Sequence, residues 1–116
     1  MLQYHMAIPR NHTAEYINAT PSEVKIIDGV AVKYSDVVVH EFFLSDVDDP
    51  EIYMAAPIWE WQQSPAGAWV MEHAVEKPYW HKRVDMPTYG YRCTIVARLS
   101  EVDQVFFRLK YVGTKN

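Results

Sequence analysis

One cysteine, four glycines and no apolar run of membrane-spanning length exclude several architectures at once. Cys93 alone forms no intrachain disulfide, and a zinc site would have to rest mainly on histidines and carboxylates. Small secreted domains usually need covalent staples, so their lack favours a reducing cytoplasm. The opening Met1-Leu2-Gln3-Tyr4-His5-Met6 has neither the basic start nor the continuous apolar stretch of a secretory leader. No segment is apolar for long enough to cross a bilayer as a helix, so no membrane partner is expected. The glycines build no phosphate-cradling loop and no Gly-x-Ser-x-Gly elbow. No catalytic motif rises above background, and no cofactor is implied.

What is there describes an ordinary folded chain with one departure. The 116 residues are 49% apolar and 22% charged, close to a soluble globular average, which excludes intrinsic disorder. The length fits one domain over residues 1–116. Aromatic residues reach 14%, and large aromatics are the anchors that interfaces and ligand pockets use. The net charge of −4 divides unevenly, −6 over residues 1–57 and +2 over 58–116. Such asymmetry can steer the acidic side of one molecule to the basic side of another. A net acidic chain is a poor candidate for sequence-independent DNA binding, where phosphate neutralisation dominates affinity.

Periodicity supplies the elements. Leu2, Tyr4, Met6 and Ile8 alternate with polar neighbours until Pro9, a half-buried strand. Residues 10–22 carry only a short strand or turn at 14–19. Glu23–Ile27, Asp28-Gly29 and Val30–Tyr34 read as a hairpin, because Asp-Gly accepts the positive φ angles of a type I′ turn. Ser35-Asp36 reads as a second corner, followed by a central strand from Val37 to Leu44. The acidic run Ser45–Glu51 has two readings: a hard-cation loop, or a helix start with Asp49 as N-cap and Pro50 in the first turn. A helix follows, with a kink or restart at Pro57, and Ser64-Pro65 opens a second helix from Ala66 to about Val75. Residues 76–87 read as a loop carrying Tyr79, Trp80 and His81. Thr88–Leu99 is the longest strand, and Ser100 caps a last helix. Val102, Val105, Phe106 and Leu109 line one side of it, with Gly113 as its stop. The order predicts an α+β fold: a mostly antiparallel sheet of four to six strands with two or three helices packed on one face.

Four constellations are candidates for function. Trp59 and Trp61, two apart on a helix, point about 200° apart and do not enter one core together, so at least one is expected at the surface. With Tyr79 and Trp80 they form the leading candidate for a partner-binding surface, facing a protein or a second copy of the chain. Arg92 and Arg98 share one face of the long strand and would add a sparse basic strip, complementary to the acidic 41–51 region of a neighbour. His73 and His81, with nearby carboxylates, could serve a small enzyme or a ligand pocket, although a metal site needs at least three convergent ligands. Cys93 falls on the apolar register of its strand, where a thiol is unreactive.

The stretch Ala56-Pro57-Ile58-Trp59-Glu60-Trp61-Gln62-Gln63-Ser64-Pro65-Ala66-Gly67-Ala68-Trp69-Val70-Met71-Glu72-His73-Ala74 resembles segments of short proteins from tailed bacteriophages. That resemblance implies a compact viral accessory or virion component, acting in a host cytoplasm or in a particle, and attaches no catalytic residue to the chain. The leading expectation is therefore a non-enzymatic interaction or assembly module, self-associating or bound to another protein. A small enzyme or ligand-binding protein using His73 and His81 is the alternative. Single-stranded nucleic-acid binding by Trp stacking with Arg92 and Arg98 is the third.

Overall fold

The computed structural model describes residues 8–10 and 23–112, with Glu23 by its backbone alone. The elements run β1 (Glu23–Ile27), β2 (Val30–Leu44), α1 (Pro50–Gln63), α2 (Pro65–His73), β3 (Tyr79–Asp85), β4 (Gly90–Ser100) and α3 (Glu101–Phe107). A wide π-type turn, Arg108–Val112, continues α3. The four strands form one antiparallel sheet in the order β1-β2-β4-β3, so the fold is α+β. Among the described residues, no helix is long and apolar enough to cross a membrane.

The hairpin forms as its turn chemistry dictates. Asp28 and Gly29 take φ of 52° and 77°, and the register closes with Ile27 opposite Val30. Beyond it the expected corner at Ser35-Asp36 is absent, and β2 continues unbroken for 15 residues. Ser and Asp favour turns because their side chains bond their own backbone. Here both find other partners: the Asp36 carboxylate accepts from Arg98 Nε at 2.7 Å, and Ser35 Oγ accepts from Gln104 Nε2 at 2.6 Å. A bulge at Val39 breaks the β2–β4 register between Val38 and His40. Bulges sharpen twist, and the long sheet curls. The helices consequently do not form a clear layer against one face, as the sequence had implied they would.

Asp49 stands at the N-cap of α1, but in a left-handed conformation with no side-chain cap bond. Pro57 does not interrupt the helix, which runs from Pro50 to Gln63. The break comes at Ser64, whose hydroxyl donates to the Trp61 carbonyl at 2.6 Å and accepts from the Gly67 N–H at 3.0 Å. This one side chain closes α1 and caps α2.

The expected loop at 76–87 is instead β3 followed by a turn. Tyr79 to Asp85 pair residue by residue with Val96 to Gly90 of β4. Lys82, Arg83 and Asp85 hide the alternation in the sequence, and an edge strand tolerates such residues. Thr88 and Tyr89, expected in the long strand, belong to that turn. Thr88 Oγ1 bonds the Asp85 carboxylate at 2.7 Å, and the Tyr89 N–H bonds the Asp85 carbonyl at the same distance.

The strand expected at Leu2–Ile8 and the stop at Gly113 lie outside the described residues, apart from Ile8 itself. Ile8 is buried, Arg10 bridges in parallel to Trp80, and the Trp80 N–H donates to the Pro9 carbonyl at 2.8 Å. The core gathers Ile8, Met54, Ile58 and Val70 against Cys93, Ile95 and Leu99 of β4. Full burial of each aliphatic side chain stabilises the fold by about 1.5–3 kcal/mol.

Candidate interaction surface

The four aromatic candidates do not assemble into one exposed patch. Trp61 and Trp80 are only 7% and 4% exposed and belong to the core, which corrects the expectation that they anchor a partner on the surface. The Trp61 indole stacks on His40, with ring centroids 5.6 Å apart, and Arg10 lies over the Trp80 ring. Burial holds the His40 pKa below its ordinary value, because it disfavours the charged imidazolium. The 200° rule does operate within α1: Trp61 turns inward and Trp59 stays half-buried at the surface. Tyr79, opposite Val96, is also half-buried.

Arg92 and Arg98 do share a sheet face, but each is already matched by acids of the same chain. Arg98 pairs with Asp36 at 2.7 Å and with Glu76 at 3.1 Å, and its guanidinium lies over the Tyr34 ring. Arg92 sits 3.6 Å from Asp85, 3.9 Å from Glu41 and over Phe43. The strip therefore presents paired charge, which weakens the case for binding a phosphate backbone. In the acidic 41–51 region, Glu41 and Glu51 are likewise engaged in cis. Glu51 accepts from Lys82 at 2.6 Å and from Arg10 at 2.8 Å, and the Lys82 hydrogen bond holds its carboxyl below the usual range.

His73 and His81 stand apart. His73 is exposed at the end of α2, stacked on Trp69 at 4.3 Å with Nδ1 2.8 Å from the Trp69 carbonyl oxygen. His81 is buried on β3 opposite Thr94. Strand alternation sends it to the sheet face away from its neighbour Trp80, which packs in the same core as Val70 of α2. Among the described residues, no group of three or more His, Cys, Asp and Glu could hold a metal ion. A cleft beside Glu76, Tyr79, Val96 and Arg98 measures about 170 Å³, smaller than the roughly 300 Å³ at which ligand pockets begin. The Cys93 thiol is fully buried, and burial pushes its pKa up to about 12.

The surface that the sequence reading missed lies at the other end of the sheet. α3 is fastened by its polar and aromatic side. Gln104 Nε2 bonds Ser35 Oγ at 2.6 Å and the Leu99 carbonyl at 3.0 Å, Phe107 enters the core, and Trp69 stacks on Phe106 at 5.1 Å. The Ser100 hydroxyl caps it by accepting the Asp103 N–H at 3.2 Å. Fastened this way, the helix turns its aliphatic stripe outward: Val102, Val105 and Leu109 are 77%, 57% and 65% exposed. A groove lined by Ala31, Val32, Lys33, Ser100, Glu101 and Val102 joins this stripe to the hairpin. There Val24 and Ile26, opposite Lys33 and Ala31, are 61% and 67% exposed. The sequence grouped Val102, Val105, Phe106 and Leu109 on one side, but Phe106 turns to Trp69 and leaves the stripe. The stripe's direction was not legible, because periodicity does not say which side faces water.

No family model, curated protein or solved structure matches this chain.

Proposed function

We propose that the chain is a non-enzymatic interaction or assembly module that docks a protein through the apolar surface of the β1–β2 hairpin and α3. One observation carries the reading: Val102 and Val105 on α3 and Leu109 on the π-type turn that continues it face solvent, while Gln104 and Phe107 pin the helix to the fold. Monomeric proteins rarely expose contiguous apolar area beyond a few hundred Å², and larger patches mark interaction sites. The hairpin extends that patch with Val24 and Ile26, so the contact surface moves from the tryptophans to this end of the molecule. Taken with the likeness of residues 56–74 to tailed-bacteriophage proteins, the module is a viral accessory or virion component working in a host cytoplasm or a particle.

Site-specific photo-crosslinking tests the reading. Benzoylphenylalanine placed at Ile26 or Val102 is expected to capture protein in cells, whereas the same group at exposed Glu72 on α2 captures none. Equal capture at all three positions, or none at any, refutes it.

A further inference from the structure

Resting on that reading, we infer that the occupant of this surface is a second copy of the chain, paired about a two-fold axis with the two α3 helices antiparallel. Val102 and Val105 on α3, and Leu109 on the π-type turn that continues it, follow a three-then-four spacing, the start of the repeat by which one helix packs along another. All three are exposed. Charge sets the direction. The beginning of the helix carries Glu101 and Asp103, and its end carries Arg108 and Lys110. Antiparallel copies place acid against base at both ends of the seam, whereas parallel copies would place like against like. A two-fold interface requires a patch complementary to itself, and a stripe with opposite charges at its two ends meets that condition.

The groove between Ala31 and Val102 gives the partner's helix a seat beside the hairpin. At its rim, Lys33 Nζ lies 4.0 Å from the Glu101 carboxylate, a loose pair that Arg108 of the partner subunit can replace.

Sedimentation velocity of the full chain, from low-micromolar to about 100 µM, tests this, with circular dichroism confirming that each variant folds. The parent is expected to run as a dimer of the 13.5 kDa chain. Leu109→Glu and Val102→Glu each raise the dissociation constant at least ~100-fold, since either places a charge on the seam. Glu101→Lys and Arg108→Glu each raise it about tenfold, and the double reversal returns it to within about threefold of the parent. A parent that stays monomeric at the highest concentration, or an unaffected Leu109→Glu, overturns the pairing. Additive rather than compensating charge reversals overturn the antiparallel arrangement. A monomeric parent whose Ile26 and Val102 photo-adducts contain a different protein overturns the second copy while leaving the interaction reading intact. Adducts at neither position overturn both.

Discussion

Replacing Gly67 by alanine separates helix propensity from packing, because the two predict opposite signs. In an isolated helix the change favours folding by about 1 kcal/mol. In this fold a Cβ at position 67 would lie 1.7 Å from the Trp61 carbonyl oxygen and 2.6 Å from its carbon, both backbone atoms of α1. That oxygen has no freedom to retreat, since the Ser64 hydroxyl and the Ser64 N–H already hold it at 2.6 and 3.0 Å. Relief requires moving α2 away from α1 by an ångström or more, which loosens Val70 and Ile58 in the core. Overpacking of this kind costs about 1–3 kcal/mol, so after the propensity gain the net effect is a loss of up to about 2 kcal/mol. For a domain of this size the melting temperature falls by up to roughly 8 °C. Urea denaturation with an unchanged slope measures it directly. Gly29→Ala is the control: nothing lies within 4 Å, but φ is +77°, so the expected loss is only about 1 kcal/mol of backbone strain. A Gly67→Ala variant more stable than the parent by about 1 kcal/mol, the full propensity gain, would refute the close α1–α2 approach.

Trp61→Ala is expected to destabilise the chain by about 3–5 kcal/mol, the range for emptying a large buried aromatic site, when followed by chemical denaturation. A loss below about 1 kcal/mol would return Trp61 to the surface. His40 should make stability depend on pH: its pKa is lowered in the folded state, so the unfolded chain binds the proton more tightly and stability declines as pH falls through the ordinary histidine value of 6.5. His40→Phe should flatten the urea midpoint between about pH 7 and 5, and an unchanged profile would remove His40 as the cause. Cys93 is expected to resist an aromatic disulfide reagent in the folded state and to react fully in denaturant. Fast labelling of the native protein would contradict its burial.

Where local chemistry decides conformation, the sequence was enough. Asp28-Gly29 specified the hairpin, Ser64-Pro65 and Ser100 specified two caps, and alternation around Cys93 specified β4 and its buried thiol. Where a distant partner decides, it was not. Ser35 and Asp36 look like a corner until Gln104 and Arg98 occupy their side chains from 69 and 62 residues away. Tyr79–Asp85 looks like a loop until β4 pairs with it. The same holds for the candidate surface. Indole count marked Trp61 and Trp80, which the core absorbed, while the spacing of Val102, Val105, Phe106 and Leu109 gave one side of a helix without its direction. Only the anchoring of α3 through Gln104 and Phe107 turns that stripe toward water.

That orientation governs the functional account, and concentration-dependent hydrogen exchange on the full chain tests it most directly. Amides of α3, its π-type turn and the β1–β2 hairpin are expected to slow as the protein is raised from about 1 to 100 µM, while those of α1 and β3 exchange at a constant rate. Exchange that ignores concentration everywhere, or slows only on α1 and β3, would contradict self-association through the hairpin and α3.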